Sequence, residues 1–182
     1  MSNWKNNIEN WDKVSKEVAD LYLKQSELVL KEQTKTAELI SLRTDRLLGI
    51  SLTFATLILG YVVSKSISAW SNDVFVNSSV FAIIILGYCV TMLVKNLKPY
   101  EIRIAGETPR IISDNQFIDN DYTSEEQYVL LILNQINNYQ DRIDLNKANN
   151  ATRTKRNSKV LQVLTFLPIS LILGLILTLF FR

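Results

Sequence analysis

"TKTAELISLRTDRLLGISLTFATLILGYVVS" spans Thr34 to Ser64, and it passes from an amphipathic, charge-bearing pattern into an apolar run with no proline between. With no stop signal at the junction, the reading is one helix that leaves water and enters a hydrocarbon layer.

The averaged composition conceals this. At 182 residues, 47% hydrophobic and 21% charged, the chain has the make-up of an ordinary globular domain. The charges, however, are segregated. Residues 47–64, 74–94 and 160–181 contain no Lys, Arg, Asp or Glu. Each run is long enough to cross about 30 Å of hydrocarbon as a helix. The alternative, three buried helices of a soluble bundle, needs the same coincidence three times. Charge throughout the first 46 residues excludes a cleavable signal pattern, so all three spans are expected in the mature protein.

Basic residues orient the spans. Arg43 and Arg46 precede the first; Lys95, Lys98 and Arg103 follow the second; Arg153, Lys155, Arg156 and Lys159 precede the third. These flanks read as cytoplasmic, which leaves the amino terminus inside, the carboxyl terminus outside, and Trp70 in the outer connection as a headgroup-level anchor or a loop residue. The expected fold class is therefore all-α: an integral membrane protein with three transmembrane helices and a cytoplasmic helical bundle or stalk. Its parts are a cytoplasmic amphipathic arm (1–46), a two-span hairpin (47–94), a cytoplasmic insert (95–159) and a third transmembrane helix (160–182). A membrane is the expected location and its lipids the first partners.

The insert opens with the breakers Pro99, Gly106 and Pro109, with Ile102/Ile104 and Ile111/Ile112 as candidate extended pieces. From about residue 124 it turns helical: Thr123 and Glu126 form a capping box, and Val129, Ile132, Ile136, Tyr139 and Ile143 recur at spacings of three and four. Asn134, Asn137, Asn138, Asn146, Asn149 and Asn150 lower helix propensity further on, so that part is expected to be solvated or frayed.

With Trp11 at heptad position a, the a and d positions of the arm fall on Trp11, Val14, Val18, Leu21, Gln25, Leu28, Glu32, Lys35, Leu39 and Leu42. Counting on gives Arg46, Gly49, Thr53, Thr56, Gly60 and Val63. The stripe is apolar where the helix is in water and becomes small and weakly polar where it enters lipid. This matches what drives association in each solvent, since apolar burial works in water and close approach of small residues works in lipid. The stripe is thus a candidate homo-oligomer seam. The competing reading packs it on the chain's own Val129–Ile143 helix and its own other spans. Gln25, Glu32 and Lys35 fix the register of a seam, end it, or mark where the helix contacts the insert. Ser170, Gly174 and Thr178 repeat a small-residue pattern in the third span, around a helix-kinking Pro168.

The chemistry available is narrow. Histidine is absent and the single cysteine, Cys89, lies inside a span, so the usual general base, metal cluster and thiol pairings are missing. The spans hold no ionisable side chain of the kind that proton relays and ion-coupled transporters use. No Walker loop, dinucleotide turn or triad signature is present. The expectation is a protein that is not an enzyme and carries no cofactor or metal: a pore or an anchor. In a pore with the first helix inward, Gly49, Thr53, Thr56 and Gly60 line a narrow path and Arg46 forms a basic ring at its mouth, which Asp45 can offset. Arg153, Lys155, Arg156 and Lys159 suit topology and anionic lipid, or a polyanionic nucleotide or oligonucleotide signal.

The layout resembles the small membrane effectors that accompany nucleotidyltransferases in bacterial anti-phage defence, the Hailong effector and related two-span effectors. The resemblance covers the amphipathic arm running into "DRLLGISLTFATLILGYVVS", the second span ending in "KNLKP", and "SEEQYVLLILNQI" leading to a terminal span. It implies an oligomeric inner-membrane channel held shut by cytoplasmic segments. A nucleotide-derived signal from a partner nucleotidyltransferase would open it, so that infected cells lose membrane polarity. No binding residue is carried over from it. A non-conducting scaffold that recruits a soluble partner through the arm, and a membrane-disrupting protein without a defined pore, are the competing functions.

Overall fold

The computed structural model describes residues 13–65, 73–97, 102–104 and 122–180. These form four α-helices, with no strand among the described residues: α1 (Lys16–Ser64), α2 (Val74–Leu97), α3 (Ser124–Leu164) and α4 (Ile169–Phe180). Trp11, Trp70, Pro99, Gly106, Pro109, Ile111 and Ile112 lie outside them.

The junction within Thr34–Ser64 is a continuous helix, as expected. α1 runs 49 residues without interruption, about 74 Å at 1.5 Å per residue. α1 and α2 are each long and apolar enough to cross a bilayer. The third charge-free run is not one straight rod. It begins in the last turn of α3, and α4 follows after a break with a bend of 43°. Pro168 explains the break: it has no N–H for the Leu164 carbonyl, and its ring crowds that carbonyl. The chain tightens instead, with Phe166 N–H bonded to Val163 O at 3.0 Å and Leu167 N–H to Leu164 O at 3.1 Å.

The chain divides into two compact units, residues 1–37 with 101–150 and residues 38–100 with 151–182. In the first, α1 and α3 run parallel. Tyr128 donates to Asp20 at 2.7 Å, Tyr139 to Glu27 at 3.4 Å, and Asn150 to the Gln33 carbonyl at 3.0 Å, so rising numbers on one helix meet rising numbers on the other. The packed stripe of α1 is Ala19, Leu23 and Leu30, facing Val129, Ile132, Leu133, Ile136, Tyr139 and Ile143. Burying a side chain such as Leu30 contributes about 2 kcal/mol.

Two expectations about the insert change here. The Asn-rich stretch is not frayed; it is helix, and α3 continues through it to Leu164. Asn146 and Asn150 extend the buried stripe of Ile143, and tertiary packing outweighs propensity. The piece around Ile102 and Ile104 adopts no regular structure, but Asn146 holds it as a strand partner would. Its amide donates to Arg103 O at 2.9 Å and its carbonyl accepts from Arg103 N at 3.2 Å.

In the second unit α1, α2 and α3 meet over Leu47, Cys89, Leu93 and Val160. A buried polar layer adjoins them. Asn96 donates to Asn157 at 2.9 Å and to the Arg153 carbonyl at 3.0 Å, and Asn157 donates to Thr44 at 3.0 Å. α4 lies antiparallel on α2 through its small residues. Asn77 donates to Thr178 at 2.9 Å, and a Cβ added at Gly174 would stand 2.6 Å from Ser78 Cα. Only glycine permits that approach.

Candidate functional site

The two stripes of α1 have different fates. Ala19, Leu30, Ala37, Ile40, Thr44, Leu47 and Ser51 are buried within the chain. The neighbouring stripe, the predicted seam, is left open: Val18, Leu21, Leu28, Leu39 and Leu42 are 39% to 58% exposed. Val14 alone among its described members turns toward α3, at the edge of the Val129 cluster. The reading that packs this face on the Val129–Ile143 helix is therefore corrected, because that helix takes the adjacent stripe. Tyr22 and Val29 are also exposed and widen the open stripe. Sequence reading missed them because they fall beside a and d positions.

Further along α1 the stripe stays open. Arg46, Gly49, Thr53, Thr56 and Gly60 are exposed, and a Cβ at Gly49 or Gly60 would meet nothing within 4 Å. The Thr53 hydroxyl donates to Gly49 O and that of Thr56 to Leu52 O, each at 2.9 Å. Their protons are thus committed within the helix, and only oxygen lone pairs face outward. That surface is mildly polar and holds no buried charge. The small residues of α4 contrast with it: Ser170, Gly174 and Thr178 are all buried, against α2.

The basic quartet is divided. Arg153 is buried and donates to Ser41 Oγ at 2.6 Å. Arg156 reaches Asn96 Oδ1 at 3.3 Å. Lys155 and Lys159 are exposed. The two arginines thus serve the polar layer, and the two lysines stay at the surface. Thr44, Asn96 and Asn157 were not singled out from sequence. The signal for Asn157 was its place in the three-and-four spacing that continues from Ile143 through Asn146, Asn150 and Arg153.

The capping box forms as predicted. Glu126 accepts from the Thr123 backbone N–H and hydroxyl, both at 2.7 Å, and these bonds hold its carboxyl below the usual glutamate range. After α1, Lys65 and Asp73 pair at 3.5 Å. Burial pushes the Asp73 carboxyl up, but the Val76 and Phe75 amides, Tyr61 and Lys65 outweigh it and leave it lowered; Lys65 is raised by Tyr61 and then by Asp73. Among the described residues no three His, Cys, Asp or Glu side chains gather as a metal site.

No protein-family model, curated protein or solved structure matches this chain.

Proposed function

We propose that copies of this chain assemble through the open stripe of α1 into an ion-conducting membrane effector. The observation that carries the reading is the division of α1 into two stripes, one filled by its own chain and one open along its apolar and its small-residue portions. A lone water-soluble helix pair has no use for five exposed aliphatic side chains in heptad register. Closing a seam over half-exposed leucines contributes about 1 kcal/mol each, half the value for full burial. Symmetry then supplies what a few helices per copy cannot enclose alone, with Thr53 and Thr56 facing the axis and Arg46 at its mouth. The similarity in layout to anti-phage membrane effectors adds gating by a nucleotide-derived signal made by a partner nucleotidyltransferase. Lys155 and Lys159 are the exposed cations such a phosphate would meet.

Light scattering of the purified chain in mild detergent, followed by planar-bilayer recording, tests this. Expected are a particle mass that is a multiple of 20.9 kDa and discrete conductance steps. Arg46→Glu should move the reversal potential toward cations. A monomeric particle refutes the seam. A silent oligomer replaces conduction with scaffolding, and erratic leakage replaces it with membrane disruption.

A further inference from the structure

α1, α2 and α3 pass from charged to charge-free sequence at one level. The bonds from Asn157 to Thr44 at 3.0 Å and from Asn96 to Asn157 at 2.9 Å set these three residues side by side. The charge-free runs meet charge at Arg46 on α1, Lys95 on α2 and Lys159 on α3, each one or two residues from that layer. Three helix edges at one height are what a flat boundary between lipid and water demands. Arg43, Arg46, Lys95, Lys155 and Lys159 are exposed around it, with Asp45 offsetting one of them. We infer that this belt, with the Lys155–Lys159 pair as its seat, binds the phosphate of an anionic phospholipid headgroup. The inference rests on residence in a bilayer and is independent of whether the chain conducts.

The surroundings of the two lysines favour a lipid phosphate over a dissolved one. Four residues apart on α3, they leave the same face about 6 Å apart along the axis. Thr152, Thr154, Ser158 and Gln162 beside them are exposed as well. A dissolved phosphate thus meets two point charges and no enclosing walls, whereas a bilayer delivers headgroups to this height at high local concentration. Beyond Lys159 the face continues through Gln162, and Phe166 is 53% exposed four residues further on. Cation, amide and aromatic ring follow one another as headgroup, glycerol and hydrocarbon do in a leaflet.

Arg153 and Arg156 stand behind the lysines, their guanidinium groups turned to Ser41 and Asn96. At the far end of the spans Lys65 pairs with Asp73 at 3.5 Å, and the described residues there carry no comparable excess of cations. Headgroup charge is therefore sensed in one leaflet and not in the other. Two cations at an anionic surface favour an anionic over a neutral headgroup about 30-fold.

The full chain is placed in nanodiscs of equal phosphatidylglycerol and phosphatidylcholine, with a headgroup diazirine on one lipid or, in a second sample, on the other. Cross-links are mapped by mass spectrometry. Phosphatidylglycerol should label residues 152–162 about 30-fold above phosphatidylcholine. Lys155→Gln/Lys159→Gln should bring the two lipids to near parity there, and Lys155→Arg/Lys159→Arg should keep the excess. Lys31→Gln/Lys35→Gln makes the same change of charge on an exposed pair of α1 more than two turns before Thr44, and should leave the excess unchanged. Excess ATP at constant ionic strength should also leave it. Parity in the unaltered chain overturns the proposal, as does an excess that persists in the folded Lys155→Gln/Lys159→Gln protein. Loss of the excess in Lys31→Gln/Lys35→Gln assigns it to net charge and overturns the seat, and its removal by ATP gives the lysines to a soluble phosphate and overturns the lipid.

Discussion

Replacing each glycine by alanine separates packing from propensity in a single series. In a helix interior alanine is favoured over glycine by about 1 kcal/mol. At Gly87, Gly49 and Gly60 an added Cβ meets nothing within 4 Å, so this gain is uncontested in the single chain. At Gly174 the same atom would lie 2.5 Å from the Ser78 backbone nitrogen and 2.6 Å from its Cα. Neither belongs to a side chain that can swing away, so α2 and α4 must separate. Overpacking of this kind costs about 1–3 kcal/mol, and the parting helices strain the 2.9 Å bond from Asn77 to Thr178. Gly174→Ala should therefore be destabilised by up to about 2 kcal/mol net, while Gly87→Ala gains about 1. At roughly 2–4 °C per kcal/mol for a chain of this length, the two midpoints should differ by up to about 6–12 °C in melts followed by circular dichroism in mild detergent. The argument fails if Gly174→Ala melts at or above Gly87→Ala. Gly49→Ala and Gly60→Ala extend the series to assembly. Both should leave the melt of a dissociated chain unchanged or raised, yet reduce the oligomer fraction by light scattering, because the added methyls hold neighbouring α1 helices apart.

Asn157→Leu removes the partner of one Asn96 donor and of Thr44 in the buried layer, and an unsatisfied buried group costs about 1–3 kcal/mol, so its melting midpoint should fall by about 2–12 °C while Ser158→Leu on the exposed side stays near zero. The Lys65–Asp73 pair makes a pH prediction. The lowered Asp73 contributes stability above the ordinary carboxylate range that is lost as pH falls through its folded value. The raised Lys65 contributes stability below the ordinary lysine range that is lost as pH rises through its own. The midpoint difference between the unaltered chain and Asp73→Asn should hence be flat from roughly pH 5 to pH 10 and shrink in acid. Cys89 is fully buried, so maleimide labelling should be at least tenfold slower in mild detergent than after unfolding in dodecyl sulfate.

The charge-free runs were readable because a hydrocarbon layer and a water layer demand different residues, and that demand acts locally. So were the continuity of α1, which needs only the absence of a breaker, and the Thr123–Glu126 box, which is complete within four residues. The Asn-rich stretch was misread for the converse reason. Propensity is a property of one helix, whereas Asn146, Asn150 and Asn157 are held by Arg103, Gln33 and Thr44, which are distant in the sequence.

By itself, then, the sequence determined that helices would form, where they would turn apolar, and that α1 carries small and aliphatic residues in a regular heptad stripe. Tertiary structure alone decided which stripe of α1 the chain fills and which it leaves open, that the small residues of α4 are spent on α2, and that Arg153 turns inward from the basic quartet. The physical reason is that neighbouring stripes on one helix differ by a single residue in register. Periodicity can establish that a face exists, but only the partner that occupies it fixes which face it is.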